Sequence, residues 1–191
     1  MAVPVHDLVV YELLTFVIQQ LLSEGHTMTF FLDSNDALTI SQLDALVAGF
    51  AADEERWRSP LRFDAGKRFC LLLHTDRCVD VWLLSWLAGQ YTTLHDHGGS
   101  RAVIQVVQGE LHELHAGPAG KLYEHRLRPQ SRHRLAPDAI HDVFNSAGPP
   151  AVSIHGYSPP LRRMTYYERD RAGFRPIRTI ATRHPEPAEP T

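Results

Sequence analysis

Gly89-Gln-Tyr-Thr-Thr-Leu-His95-Asp96-His97-Gly-Gly-Ser-Arg-Ala-Val-Ile-Gln-Val-Val-Gln-Gly109-Glu-Leu111 is the stretch that decides the fold. It reads strand, turn, strand, turn, strand, with β-branched runs between glycine pairs and single glycines. A spacing of two on a strand puts His95 and His97 on one face and turns Asp96 away. Neutral imidazole is the commonest side-chain metal ligand. A third histidine, His141, arrives from a distant strand in His141-Asp-Val-Phe-Asn145, just after a turn at Pro137. Three protein nitrogens leave coordination positions open, which is a catalytic layout and not a closed structural one. With 12 His among 191 residues some close pairs arise by chance, so the reading rests on the turns and strands that surround the pair.

Working outward, residues from about 67 onward carry short β-branched and aromatic runs broken by Gly, Pro, Asp and Asn: 69–74, 79–87, 91–95, 102–108, 110–116, 121–127, 132–136, 141–145, 151–157 and 162–168. Strands this short and this evenly spaced predict a β-sandwich or barrel. Before them, helical periodicity runs over 5–23 through Val10, Leu13, Leu14, Val17 and Leu21 and ends at Gly25. A second helix is expected over 41–57, with Ser41 as N-cap, Asp44 at N3 and a stripe of Leu43, Leu46, Val47, Phe50 and Trp57. Met28–Phe31 reads as a short strand or an extended link. The expected organisation is a helical segment, 1–66, packed on a β-barrel, 67–168, followed by an irregular extension, 169–191, ending in the tail His184-Pro-Glu-Pro-Ala-Glu-Pro-Thr191.

Composition narrows the class. Hydrophobic residues make up 43% and charged residues 21%, ordinary for a soluble globular domain. A net charge of −3 gives no reason to expect a nucleic-acid partner. The arginines gathered at 162, 163, 169, 171, 175, 178 and 183 read as a solvated surface with local ion pairs. Cys70 and Cys78 flank a hairpin turn at Asp76 and read as buried thiols, not a disulfide. The apolar stretch Leu8–Leu22 is interrupted by Tyr11, Glu12, Gln19 and Gln20, lacks a basic leader, and does not read as a membrane span or secretory signal. The expectation is a cytoplasmic protein with no membrane partner, a monomer or a small homo-oligomer.

Downstream lies Ala151-Val-Ser-Ile-His-Gly-Tyr-Ser-Pro-Pro160. Alternation places Ser153, His155 and Tyr157 on one face, with Val152 and Ile154 on the other. Pointing inward, three polar side chains need partners. They can supply one another as a hydroxyl–imidazole–phenol relay that orients the tyrosine hydroxyl. Pointing outward, they would need none.

Together the two constellations resemble the cysteine dioxygenase family. Gly89…His95-Asp-His97…Gly109 is similar to the first cupin motif and His141…Asn145 to the second. Ser153-x-His155-x-Tyr157-Ser-Pro-Pro160 is similar to the strand that distinguishes thiol dioxygenases. The resemblance covers roughly 67–165 and implies a jelly-roll cupin barrel holding non-haem Fe(II) on His95, His97 and His141. It further implies transfer of both atoms of O2 to a small thiol, giving a sulfinate, with Tyr157 hydrogen-bonding the substrate carboxylate or the oxygen and His155 and Ser153 orienting it. Where the general cupin pattern has a Glu after His-x-His, this chain has Arg101 or Ala102. That absence fits an all-histidine iron site and argues against manganese oxalate-degrading cupins and against the two-histidine-one-carboxylate triad.

Two departures stand out. The cysteine that mammalian members cross-link to the tyrosine corresponds here to Ala102. The carboxylate clamp, an Arg in cysteine-specific members and a Gln in mercaptopropionate-type members, falls on Arg68 or on Leu72, according to the length of the hairpin before Trp86. A bidentate Arg–carboxylate pair is the strongest recognition available for so small a substrate. With Leu72 in that place, Arg101 is the alternative source of charge or the substrate lacks a carboxylate. Three functions follow: oxidation of L-cysteine, oxidation of 3-mercaptopropionate or another small thiol, and metal or ligand binding without catalysis. Three histidines alone can also hold zinc, nickel or copper.

Overall fold

The strand pattern folds as two antiparallel sheets that face each other in a jelly-roll barrel. The computed structural model describes residues 37–186. The helix expected over 5–23 and the link at 28–31 lie outside the described residues. The described elements are α1 (Ile40–Ala52), α2 (Glu54–Arg58), β1 (Phe69–Thr75), β2 (Asp80–Trp86), β3 (His95–Asp96), β4 (Arg101–Gln108), β5 (Leu111–Ala116), β6 (Leu122–Leu127), β7 (Arg132–Leu135), β8 (His141–Phe144), β9 (Ala151–Ser158), β10 (Arg163–Arg169) and β11 (Phe174–Ala181). One sheet runs β1-β2-β9-β4-β7 and the other β11-β10-β3-β8-β5-β6.

Two apolar cores explain why β2 and β9 are buried along their whole length. Inside the barrel, Trp82, Leu84, Trp86, Ile104, Leu111 and Leu135 pack together. On the outer face of the five-stranded sheet, Val81, Leu83, Val103, Val152 and Ile154 pack under Leu43, Val47 and Phe50 of α1. A sheet covered on both faces has no solvent side for alternation to mark. Gly156 lies where the helix approaches closest: a Cβ there would sit 2.6 Å from Val47 and 2.9 Å from Leu43.

The helix expected over 41–57 is two helices. Its N-cap is Thr39, not Ser41: Thr39 and Gln42 exchange side-chain and backbone hydrogen bonds as a capping box. Asp53 ends α1 and caps α2, accepting from Arg56 N at 3.3 Å. Asp44 is no helix-end residue. It lies buried on the sheet side and receives Arg132 and Arg134 of β7 at 3.0 Å each. The expected strand 91–95 reduces to a single bridge at Tyr91 and the two residues of β3. Thr92 takes over the ladder there, its hydroxyl accepting from Val143 N at 2.7 Å. After Arg169 the chain is not irregular: β11 pairs with β10 from Arg163↔Ala181 to Arg169↔Phe174. Pro176 sits beside a register shift on this edge strand, where a missing N–H is tolerated. Cys70 and Cys78 are free, but half-buried instead of fully buried. No helix among the described residues is long and apolar enough to cross a membrane.

The Asp44 ion pairs fasten α1 to the barrel. The Arg134 hydrogen bond, aided by Arg132 and opposed by burial, holds the Asp44 carboxyl below its usual range. A depressed folded-state value means stability present above the unfolded carboxylate pKa and lost as pH falls through the folded one. Asp44→Asn is expected to lower the melting temperature by about 2–4 °C at neutral pH, the size of a ~1 kcal/mol loss in a domain this large. The gap to wild type closes in acid; thermal melts at both pH values check it, and a gap unchanged in acid contradicts it.

Candidate metal centre

Antiparallel pairing sets the histidine geometry. His95 of β3 lies directly opposite His141 of β8, so both project to the barrel interior. His97 follows two residues after His95. Its Nε2 stands 3.4 Å from Nε2 of His141. One nitrogen from each of the three lies within 4.8 Å of the others, and all three side chains are buried. His95 Nδ1 lies 2.7 Å from the Thr93 carbonyl, and His141 Nδ1 lies 2.7 Å from Glu113 Oε1. Each contact takes the ring N–H and leaves Nε2 as a bare lone pair. Burial, then His141, holds His95 down to about 3, and burial with His115 holds His141 down to about 3. Burial also keeps His97 well below its ordinary value. Three neutral imidazoles with donor nitrogens within 4.8 Å of one another, two of them with Nε2 left as a bare lone pair, fit a shared cation.

The other sheet brings Ser153, His155 and Tyr157 of β9 to the same interior. All three are buried, and Tyr157 packs in the barrel core while Val152 and Ile154 pack in the outer one, so this face of the strand points inward. Trp86 Nε1 donates to Ser153 Oγ at 2.9 Å. Ser153 Oγ is 2.8 Å from His155 Nε2, and His155 Nδ1 is 3.2 Å from the Tyr157 hydroxyl. Trp offers only a donor, so the order that places every proton runs Trp86 N–H to Ser153, Ser153 O–H to His155, and His155 N–H to Tyr157 oxygen. The Tyr157 O–H is then the free donor at the end of the chain. Burial pushes its acidity far below an ordinary phenol's, so the proton stays on. Its ring centroid is 4.9 Å from that of His97. Ala102 stands opposite Tyr157 in the β4–β9 ladder, so the neighbouring strand offers the phenol no sulfur there.

A cavity of about 230 Å³ opens beside His95, lined by Arg68, Thr93, Met164, Tyr166 and Glu186 among others. Arg68 is buried, its guanidinium 4.9 Å from the Trp86 ring centroid. Its Nη2 pairs with Glu186, while Nε and Nη1 are buried without a partner. The chain reaches back to the barrel here: His184 packs edge-on against Trp82, with ring centroids 4.8 Å apart. The alternatives to Arg68 are placed elsewhere. Leu72 is 40% exposed on β1 opposite Trp82. Arg101 donates to the Leu38 carbonyl at 2.6 Å.

Several site neighbours escape a reading by motif. Glu113 is foreshadowed only by sharing a strand face with Leu111. Trp86 as a donor, Thr93 and Glu186 carry no sequence signal. Asp96, turned away as expected, braces the ligand turn. It accepts from Gly98 N at 2.8 Å and from the Tyr167 hydroxyl at 2.7 Å, which ties that turn to β10. Asn145 holds a second turn by donating to the Trp86 and Pro149 carbonyls at 3.2 and 3.0 Å.

Comparison with known proteins gives the family. The cysteine dioxygenase type I family profile matches residues 27–170. The chain is 29% identical over 144 residues to cysteine dioxygenase type 1 of Homo sapiens, covering 67% of this chain and 69% of that protein. It is 25% identical over 153 residues to the Danio rerio protein of the same name, covering 71% and 73%. A solved Klebsiella pneumoniae protein with a double-stranded β-helix domain is similar with a TM-score of 0.47 and 19% identity, over 63% of this chain and 93% of that one. The matched span contains Arg68, the three converging histidines and the Ser153–His155–Tyr157 strand, and the chain belongs to the cysteine dioxygenase family.

Proposed function

We propose that this protein is an Fe(II)-dependent thiol dioxygenase that converts L-cysteine to cysteine sulfinate. The observation that carries the reading is the meeting, in one buried space, of the histidine trio and the free end of the Tyr157 relay. His95, His97 and His141 would hold the metal. Bound there, Fe(II) supplies open positions and the redox chemistry by which a thiol sulfur reacts with dioxygen. The reaction balances without an added reductant: both oxygen atoms end on sulfur, which is oxidised as O2 is reduced.

The chain's own residues bind and orient. Arg68 presents Nε and Nη1 to the substrate carboxylate, and Glu186 is the internal carboxylate that shares this guanidinium. Trp86 supports Arg68 through its ring face and Ser153 through its indole N–H, so one residue braces both the clamp and the relay. Tyr157 donates its hydrogen bond to the carboxylate or the oxygen. Burial of the whole set excludes bulk water, which strengthens each of these polar contacts.

An oxygen electrode with L-cysteine, 3-mercaptopropionate and cysteamine tests the reading. Iron-loaded protein is expected to turn over L-cysteine fastest and cysteamine, which has no carboxylate, slowest. Thiol binding without O2 uptake across the panel would instead assign a non-catalytic cupin. Tyr157→Phe is expected to keep its iron and lose about a hundredfold in turnover, the usual effect of removing one positioned proton donor. An unchanged rate removes Tyr157 from the mechanism.

A further inference from the structure

We propose that Glu113, His115 and His133 form a second metal site, separate from the His95–His97–His141 set, that takes Zn(II). One donor atom from each of the three lies within 4.8 Å of the others. Glu113 and His115 are two apart on β5 and share a face, and His133 comes from β7 of the opposite sheet, so the cluster bridges the two sheets.

Two buried atoms without a hydrogen bond point to a ligand. Glu113 is fully buried, and its Oε2 makes no hydrogen bond although His133 Nδ1 lies only 3.0 Å away. His115 Nδ1 is likewise buried without a partner. Buried polar atoms are nearly always satisfied, so two without a hydrogen bond on residues of one cluster call for an explanation. A cation between them satisfies both. Two imidazoles and a carboxylate are a common zinc donor set, and His125, whose ring centroid is 5.3 Å from that of His133, is at hand as a further imidazole. His115 and His133 are only half-buried and His125 is exposed, which gives an ion a path from solvent.

The two sites share one carboxylate. Glu113 Oε1 accepts from His141 Nδ1 at 2.7 Å while Oε2 faces the outer cluster. Zinc on Oε2 draws charge from the group that orients His141, so the outer ion is felt at the inner set. The proposal does not depend on which metal the inner set holds.

Chelator-stripped protein titrated with Zn(II) against a chromophoric competitor decides it. Wild type is expected to take two ions per chain, His97→Ala one, a His115→Gln/His133→Gln variant one, and the combined variant none. One ion in wild type and none in His97→Ala overturns the proposal, as does a double variant that still takes two. The His97→Ala result stands even where the double variant fails to fold.

Discussion

His97→Ala protein is expected to purify without iron and to consume no dioxygen when given cysteine. His97 is the proposed ligand from the turn between β3 and β4, and its Nε2 lies 3.4 Å from Nε2 of His141. Alanine leaves two nitrogens, His95 and His141, both on the same sheet. Losing an outer partner of a metal ligand costs about 10- to 100-fold in affinity or activity, so losing a ligand itself should exceed about a hundredfold. The substitution also removes the ring next to Tyr157, and the relay then ends on an empty space. Elemental analysis and oxygen uptake read the result, with circular dichroism to show that the barrel persists. Iron retained at one per chain would contradict the ligand assignment.

The second large effect is expected at the clamp. Arg68→Ala should raise KM for L-cysteine by about 30- to 4000-fold, because losing one partner of a buried charge pair costs roughly 2–5 kcal/mol and each 1.4 kcal/mol is tenfold. KM for cysteamine should change far less, and this ratio separates a lost clamp from a damaged fold. Arg68→Lys should not restore the ratio, since an ammonium cannot reproduce the fork. Glu186→Gln tests the same contact from the other side. With the internal carboxylate neutralised, KM for L-cysteine should fall while that for cysteamine holds. Equal KM changes for the two thiols in Arg68→Ala would remove Arg68 from recognition.

Much of this is legible in the chain because its signals are local. His95 and His97 share a face by the period of a strand, and so do Ser153, His155 and Tyr157. The glycines at 89 and 109 punctuate the strands between, and both adopt positive φ, 83° and 70°. The capping box is legible too, as Thr39-x-x-Gln42, but Ser41-x-x-Asp44 offers a rival start, and Asp44 turns instead to the β7 arginines. What local pattern does not contain is pairing. Only the β3–β8 register sets His141 opposite His95, and only the β4–β9 ladder sets Ala102 opposite Tyr157. Arg68 and Leu72 are indistinguishable while the hairpin length is open. The β1–β2 register, with its shift between Leu72 and His74, resolves their positions. The strand β11 is hidden because Pro176 and the arginines around it read as surface coil, yet an edge strand accepts both.

In the proposed reaction both atoms of one dioxygen molecule reach the sulfur of a carboxylate-bearing thiol bound at this site. Iron-loaded protein given L-cysteine under isotopically labelled dioxygen, with the product weighed by mass spectrometry, tests it most directly. The expected product is cysteine sulfinate carrying two labelled oxygens, formed one for each dioxygen consumed. Cystine as the product, or sulfinate carrying label at only one oxygen, would contradict it.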